Sequence, residues 1–334
     1  LNRADFLAAT ASMSLSCSLA ATASAKTSVN ETGFVPIGGI DQFVAIQGQD
    51  SRNPALLYVH GGPAEAQSPF LSEFQPWEQY FTVVTWDQRG SGKTFARNGT
   101  ATPEVTLKQI TLDTIDVAQY ARRRLAKSNV VLVGQSWGCL PGMFAALRRP
   151  DIFAAYVGTG QPVCWDLSLE AREAFARTQM LAAGDTRALQ ALDAAQSLPP
   201  TDFKRINITN TWRWAPSDRR YLDSQRSFMG GSPDNAKGFA AQWIAGENFS
   251  GPKLWPDETA FDARKHTTFD LPVFVIQGKE DHIAGVEPAK AWLASVHAPA
   301  KAFVAIDGGH FACFTDPTEF MSAVRENTGP FIRK

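Results

Sequence analysis

The chain predicts an α/β fold: a mostly parallel central sheet flanked by helices, with an inserted helical cap before the last two strands. Three observations carry this. Short apolar runs rich in Val, Leu and Ile alternate with helix-forming stretches, as strands buried on both faces require. Several of these runs end in glycine-containing loops. From residue 164 to 265 the pattern changes to one dominated by helix formers and then reverts.

Taken in order, residues 1–25 stand apart from the fold. Phe6 to Ala25 lacks charge and is built from Ala, Ser, Leu and Thr, with Arg3 before it and Ala23-Ser24-Ala25 at its end. That composition predicts an export signal with a small-residue cleavage site. Asn2-Arg3-Ala4-Asp5-Phe6-Leu7 resembles a twin-arginine motif in which Ala4 replaces the second arginine. The expectation is a periplasmic or secreted protein if the segment is cleaved and a cytoplasmic one otherwise. Its Ser and Thr content argues against a stable membrane span.

Opening strands are predicted at Gly33–Ile37 and Gln42–Ile46, then at Leu56–Val59 and Phe81–Trp86. Helical spacing of Ile110, Ile115, Val117, Tyr120 and Leu125 predicts a helix over Thr106–Ala126. Val130–Val133 is the next strand, followed directly by Gly134-Gln135-Ser136-Trp137-Gly138 and a helix-forming stretch to Leu147. Phe153–Val157 is a further strand. The core is thus placed at 31–163 and 266–334, and the helical cap at 164–265. Within the cap, Leu167–Leu181 and Thr186–Gln196 read as helices; looser Gly/Pro segments follow.

The pentapeptide is the chemical centre of the sequence. G-x-S-x-G alone arises by chance in about one chain in ten of this length. Its place between an apolar strand and a helix makes it a nucleophile elbow, with Ser136 held exposed on a sharp turn. A serine hydroxyl needs a base and an orienting acid. His310 follows the strand-like run Ala302–Ile306 and is the candidate base among His60, His266, His282, His297 and His310. Asp281, in the exit loop of the apolar run Leu271–Gln277, is the candidate acid, with neighbouring Glu280 as the alternative. Each of the three follows a predicted parallel strand, the edge where ligands collect in open α/β sheets. Leu56–Val59 leads into His60-Gly61-Gly62-Pro63, so the N–H groups of Gly62 and Trp137 form the expected oxyanion hole. His60 reads as structural.

His60-Gly61-Gly62-Pro63, Asp87-Gln88-Arg89-Gly90-Ser91-Gly92-Lys93, Gly134-Gln135-Ser136-Trp137-Gly138, Gln277-Gly278-Lys279-Glu280-Asp281 and Gly309-His310-Phe311 occur in that order. This set resembles the α/β-hydrolase fold, in particular the prolyl aminopeptidase (proline iminopeptidase) branch of serine peptidases. The resemblance implies a Ser136–Asp281–His310 triad, an oxyanion hole at Gly62 and Trp137, and scaffold roles for Asp87 and Arg89. The sequence departs from that branch twice. Residue 64 is Ala where the family usually has Gly, and the inserted region lacks the Trp-Glu pair associated with reading a free amine, Trp165-Asp166 being the nearest approximation.

The remaining composition narrows the function further. The 334 residues are 44% hydrophobic with net charge −1, enough apolar residues for a large core and no basic stripe for nucleic acid. Cys17, Cys139, Cys164 and Cys313 form no close-spaced metal pattern, and Cys164 and Cys313 remain a possible pair. Trp165, Trp212 and Trp214 are candidate substrate contacts in the cap, the competing reading being cap core; Trp212 and Trp214 would share a face if the segment were extended. The expected function is acyl transfer from a small-molecule or short-peptide substrate to water, without metal or cofactor, as an aminopeptidase releasing an N-terminal residue. An esterase or amidase for small apolar acyl groups is the alternative within catalysis. A non-catalytic ligand-binding relative is the alternative outside it.

Overall fold

The computed structural model describes residues 27–231 and 238–333. The proposed export segment, including Cys17, lies outside them. Eight strands form one sheet: β1 (Val29–Ile37), β2 (Ile40–Gly48), β3 (Ala55–Val59), β4 (Thr82–Trp86), β5 (Val130–Gln135), β6 (Phe153–Thr159), β7 (Val273–Gly278) and β8 (Lys301–Ile306). Their order is β1-β2-β4-β3-β5-β6-β7-β8. β1 pairs antiparallel with β2, and β2 with β4. All remaining pairs are parallel.

Burial follows that topology. Every residue of β3 to β7 is buried, whereas β1 alternates between half-buried and exposed because one face meets solvent. Helices are α1 (Gln75–Glu78), α2 (Gly92–Asn98), α3 (Leu107–Leu125), α4 (Cys139–Arg148), α5 (Trp165–Ala183), α6 (Thr186–Ala195), α7 (Phe203–Thr209), α8 (Pro216–Gly231), α9 (Phe239–Ala260), α10 (Val286–Ser295), α11 (Ala312–Thr315) and α12 (Pro317–Thr328). Leu57, Val59 and Leu132 face a core shared with Ile110 and Ala118 of α3 and Leu140 and Met143 of α4. Leu56, Tyr58 and Val131 face the opposite core, with Trp77 of α1 and Phe320 and Val324 of α12. The sheet is therefore the middle of three layers.

The α3 helix starts where Thr106 Oγ1 accepts from the Gln109 N–H at 3.2 Å and stops at Ala126, which takes φ +51°. Helices α5 to α9 fill the connection between β6 and β7. The long α9 replaces the loose Gly/Pro segment expected there. Its chain carries Gly246, Gly251, Pro252 and Pro256, but packing overrides propensity: Ser250 Oγ donates to the Gly90 carbonyl at 2.8 Å. Gly90 itself has φ +81°, and a Cβ there would lie 2.1 Å from Ser250 Oγ. Cys139, Cys164 and Cys313 are all buried and unbridged, so the Cys164–Cys313 pair does not form. Among the described residues no helix is long and apolar enough to cross a membrane.

Candidate active site

Ser136 begins a single turn of 3-10 helix between β5 and α4, with φ +52°. A left-handed conformation is costly for serine and persists only where the surroundings impose it. They do so here through close backbone packing. A Cβ on Gly138 would stand 2.0 Å from the Val59 carbonyl oxygen, so only glycine lets the turn press against the end of β3. Cys139 Sγ donates to the Gly134 carbonyl at 3.1 Å inside the elbow, where the residue is buried.

His310 and Asp281 meet as the sequence predicts. His310 Nδ1 lies 3.1 Å from both carboxylate oxygens of Asp281. Asp281 Oδ1 also accepts from the Ile283 and Ala284 N–H groups at 2.9 and 3.0 Å. Burial alone would push this carboxyl up, but His310 and those two N–H groups hold it below the ordinary range. A carboxylate at Nδ1 makes that nitrogen the donor and leaves Nε2 as the acceptor, and His310 lines a cavity together with Ser136 and Trp137. Glu280 is exposed, one residue away on the same loop.

The expected oxyanion donors, Gly62 and Trp137, stand in front of a buried polar network. Gly62 lines the outer pocket and Trp137 the inner cavity. Trp137 N–H sits in the first turn of a helix, where it has no intrahelical acceptor. Behind them His60 is buried and structural: its Nε2 accepts from the Gln88 N–H at 3.1 Å, and its Nδ1 reaches the Gly61 carbonyl at 3.0 Å. Burial lowers its pKa to about 4, so it stays neutral. Asp87 accepts from the N–H groups of Gln67, Ser68 and Lys93 and from Ser68 Oγ. Arg89 forms a buried ion pair with Asp113 at 2.7 Å and donates to the carbonyls of Pro103 and Gly38. Both are scaffold residues that tie the loops around the site together.

Over Ser136 lies a pocket of about 620 Å³. A narrow inner cavity of about 20 Å³ lies beside the same serine and His310. Trp165 and Trp214 line the pocket, together with Trp255. Trp212 does not. It packs against Ala176, Met180 and Leu192 in a small core between α5 and α6. The segment Thr211–Trp214 is a turn, which sends the two indoles apart instead of placing them on one face.

Two groups of residues here carry no signature in the sequence. Asp218 of α8, fully buried, accepts from the His310 N–H at 2.8 Å and the Phe311 N–H at 3.0 Å, so an inserted helix grips the histidine loop. Trp214 stacks on Phe311 beside it, centroids 5.7 Å apart. The second group is Glu65, Glu247, Glu258, Arg172 and Arg213, all lining the pocket. Burial raises the carboxyls of Glu247 and Glu258 to about 7. Glu247, Gly251, Trp255 and Glu258 recur at helical spacing on one face of α9, a signal that is readable once that segment is known to be helical. Among the described residues no group of His, Cys, Asp or Glu is placed to hold a metal ion.

Comparison with known proteins agrees with this architecture. The chain is 40% identical over 128 residues to the probable aminopeptidase YbaC of Bacillus subtilis (strain 168), covering 38% of this chain and 40% of that protein. Such matches span about two-fifths of the length of the curated relatives, proline iminopeptidases among them. Among solved structures, VinJ superposes with a TM-score of 0.63 at 18% identity, covering 90% of this chain and 99% of VinJ. The proline iminopeptidase of Mycobacterium smegmatis gives 0.61 at 17% identity, covering 90% and 98%. At these identities the likeness speaks for fold alone. The family described as alpha/beta hydrolase fold matches residues 54–317, most of the chain and both halves of the sheet's active edge. The chain belongs to the α/β-hydrolase fold family.

Proposed function

We propose that the protein is a serine hydrolase of aminopeptidase type, releasing an N-terminal residue through an acyl-enzyme, with proline the residue its relatives suggest. The observation that carries this is the joint presence of Ser136, His310 and three carboxylates, Glu65, Glu247 and Glu258, in one pocket, the carboxylates having no hydrogen bond or ion pair among the described residues. Ser136 Oγ attacks the scissile carbonyl while His310 Nε2 takes its proton. Gly62 and Trp137 N–H groups receive the oxyanion, and Asp281 holds the imidazole in its tautomer and stabilises the imidazolium. His310 then protonates the leaving amine. Water attacks the acyl-enzyme with His310 as base, freeing the acid and restoring Ser136.

The glutamates supply what the missing Trp-Glu pair would have supplied, an anionic seat for the substrate ammonium. The second reading, an esterase or amidase, draws on the absence of that Trp-Glu pair from the inserted region; the inner cavity, about 20 Å³, has room for about one water.

The test measures kcat/KM on a prolyl arylamide, its N-acetyl analogue and a short-chain aryl ester between pH 5.5 and 8, with Ser136→Ala as control. Ser136→Ala is expected to lose activity by at least about 10⁴-fold. KM for the free amine should fall as pH rises through about 7, where Glu247 and Glu258 ionise while the substrate amine, with an ordinary pKa of about 8, is still charged. The N-acetyl analogue should show no such trend. Ester turnover without cleavage of the prolyl arylamide would select the esterase reading.

A further inference from the structure

The pocket holds more charge than amine recognition needs. Three carboxylates face it, and so do two guanidinium groups. Among the described residues, no hydrogen bond or ion pair within 4 Å engages Glu65, Glu247 or Glu258. Arg172 commits its Nε to the Ile283 carbonyl at 3.0 Å and lies 5.0 Å from the Trp165 ring. It lines the inner cavity together with Glu258, so it sits with that carboxylate near the nucleophile.

Arg213 differs. It lines only the outer pocket, away from the inner cavity. Its Nε is buried without an acceptor, an expensive state for a guanidinium that water or protein normally satisfies. Its guanidinium carbon lies 4.8 Å from the Trp214 ring. That ring is in turn 6.4 Å from the His310 imidazole and stacks on Phe311, so Arg213 is fixed relative to the reacting centre. An arginine supported on an indole presents planar, forked donors that match a carboxylate.

We propose that Arg213 receives a carboxylate of the substrate, and that the preferred substrates are free dipeptides or comparably short zwitterions rather than the ends of long chains. This rests on the aminopeptidase reading above. In a dipeptide the ammonium and the carboxylate flank the scissile carbonyl, and one further residue spans about 3.5 Å. A carboxylate one residue past the scissile carbonyl therefore stays within the pocket that His310 and Arg213 both line. The outer pocket then reads both ends of the molecule: glutamates take the ammonium and Arg213 takes the carboxylate.

The experiment compares prolyl-alanine with prolyl-alanine amide, identical except for the masked carboxylate, on wild type, Arg213→Met and Arg213→Lys. Wild type should prefer the free acid by about ten- to a hundredfold in kcat/KM, chiefly through KM, as a charge-assisted hydrogen bond implies. Arg213→Met should bring the ratio close to one, and Arg213→Lys should restore part of it. Melting temperatures of both variants establish that they are folded. Equal kcat/KM for acid and amide in wild type, or an undiminished ratio in Arg213→Met, would overturn the proposal. If neither peptide is cleaved while an aryl ester is, the aminopeptidase reading fails instead. Competitive inhibition of ester hydrolysis by prolyl-alanine against its amide then makes the same comparison, with equal inhibition constants overturning the carboxylate site.

Discussion

At the carboxyl edge of the sheet, each buried charge is met by donors or an opposite charge on fixed backbone. Asp87 accepts four hydrogen bonds, Arg89 and Asp113 pair with each other, and Asp281 accepts from His310 and two N–H groups. In the pocket wall a few residues away, Glu65, Glu247, Glu258 and Arg213 have no side-chain hydrogen bonds among the described residues, and Arg213 reaches Glu65 and Glu258 only through longer-range charge. The first arrangement makes geometry, because a satisfied polar network has one low-energy form. The second is suited to affinity, because a ligand with the right charges would supply the close contacts these groups lack. On the proposed function, catalysis and substrate selection would be carried by different kinds of charged residue in one molecule.

The contrast is broken most severely by Asp281→Asn. The amide keeps an oxygen for the Ile283 and Ala284 N–H groups but cannot orient and charge-stabilise His310. A loss of about 10³- to 10⁴-fold in kcat with little change in melting temperature is expected. Activity within tenfold of wild type would remove Asp281 from the triad.

Asp218→Ala tests whether the matched network extends into the inserted helices. It leaves the His310 and Phe311 N–H groups unanswered, so kcat should fall about 10- to 100-fold with KM changed much less. Asp218→Asn, whose amide oxygen still accepts one of the two, should recover part of the loss. The rate of covalent labelling of Ser136 by a fluorophosphonate should follow the same order. A fall in stability with unchanged kcat and labelling would make Asp218 only a structural strut.

Trp212→Ala sharpens the division within the insertion itself. Trp212 is partly exposed and packs on Met180 and Leu192, so its removal should cost about 1–3 kcal/mol in denaturant unfolding and leave kcat/KM within about twofold. A changed substrate preference would contradict that placement.

Ser136, Asp281 and His310 could be picked out because each follows a strand whose apolar run is unmistakable, and the order of those strands leaves one edge where ligands collect. Choosing Asp281 over Glu280 needed backbone register: Asp281 turns inward onto two N–H groups, and Glu280 is exposed. The helix α9 was obscured by Gly246, Gly251, Pro252 and Pro256, which local propensity reads as breakers but which packing against Gly90 tolerates. With that helix hidden, the face carrying Glu247 and Glu258 was hidden too. Glu65 lies two residues past Pro63, where sequence alone marks no ligand contact. Asp218 depends on a contact across 92 residues of chain, beyond the reach of any local pattern.

The grip of Asp218 on the histidine loop also bears on how this scaffold diversifies. In a fold where an inserted segment only covers the site, that segment can be exchanged wholesale to give a new specificity while the chemistry is inherited intact. Here a chimera that replaced the insertion would discard the acceptor for two N–H groups of the loop carrying His310. A fall of kcat in Asp218→Ala would mean that specificity and turnover are inherited together. Altering one without the other calls for point changes along α9 and around Arg213, with α8 retained.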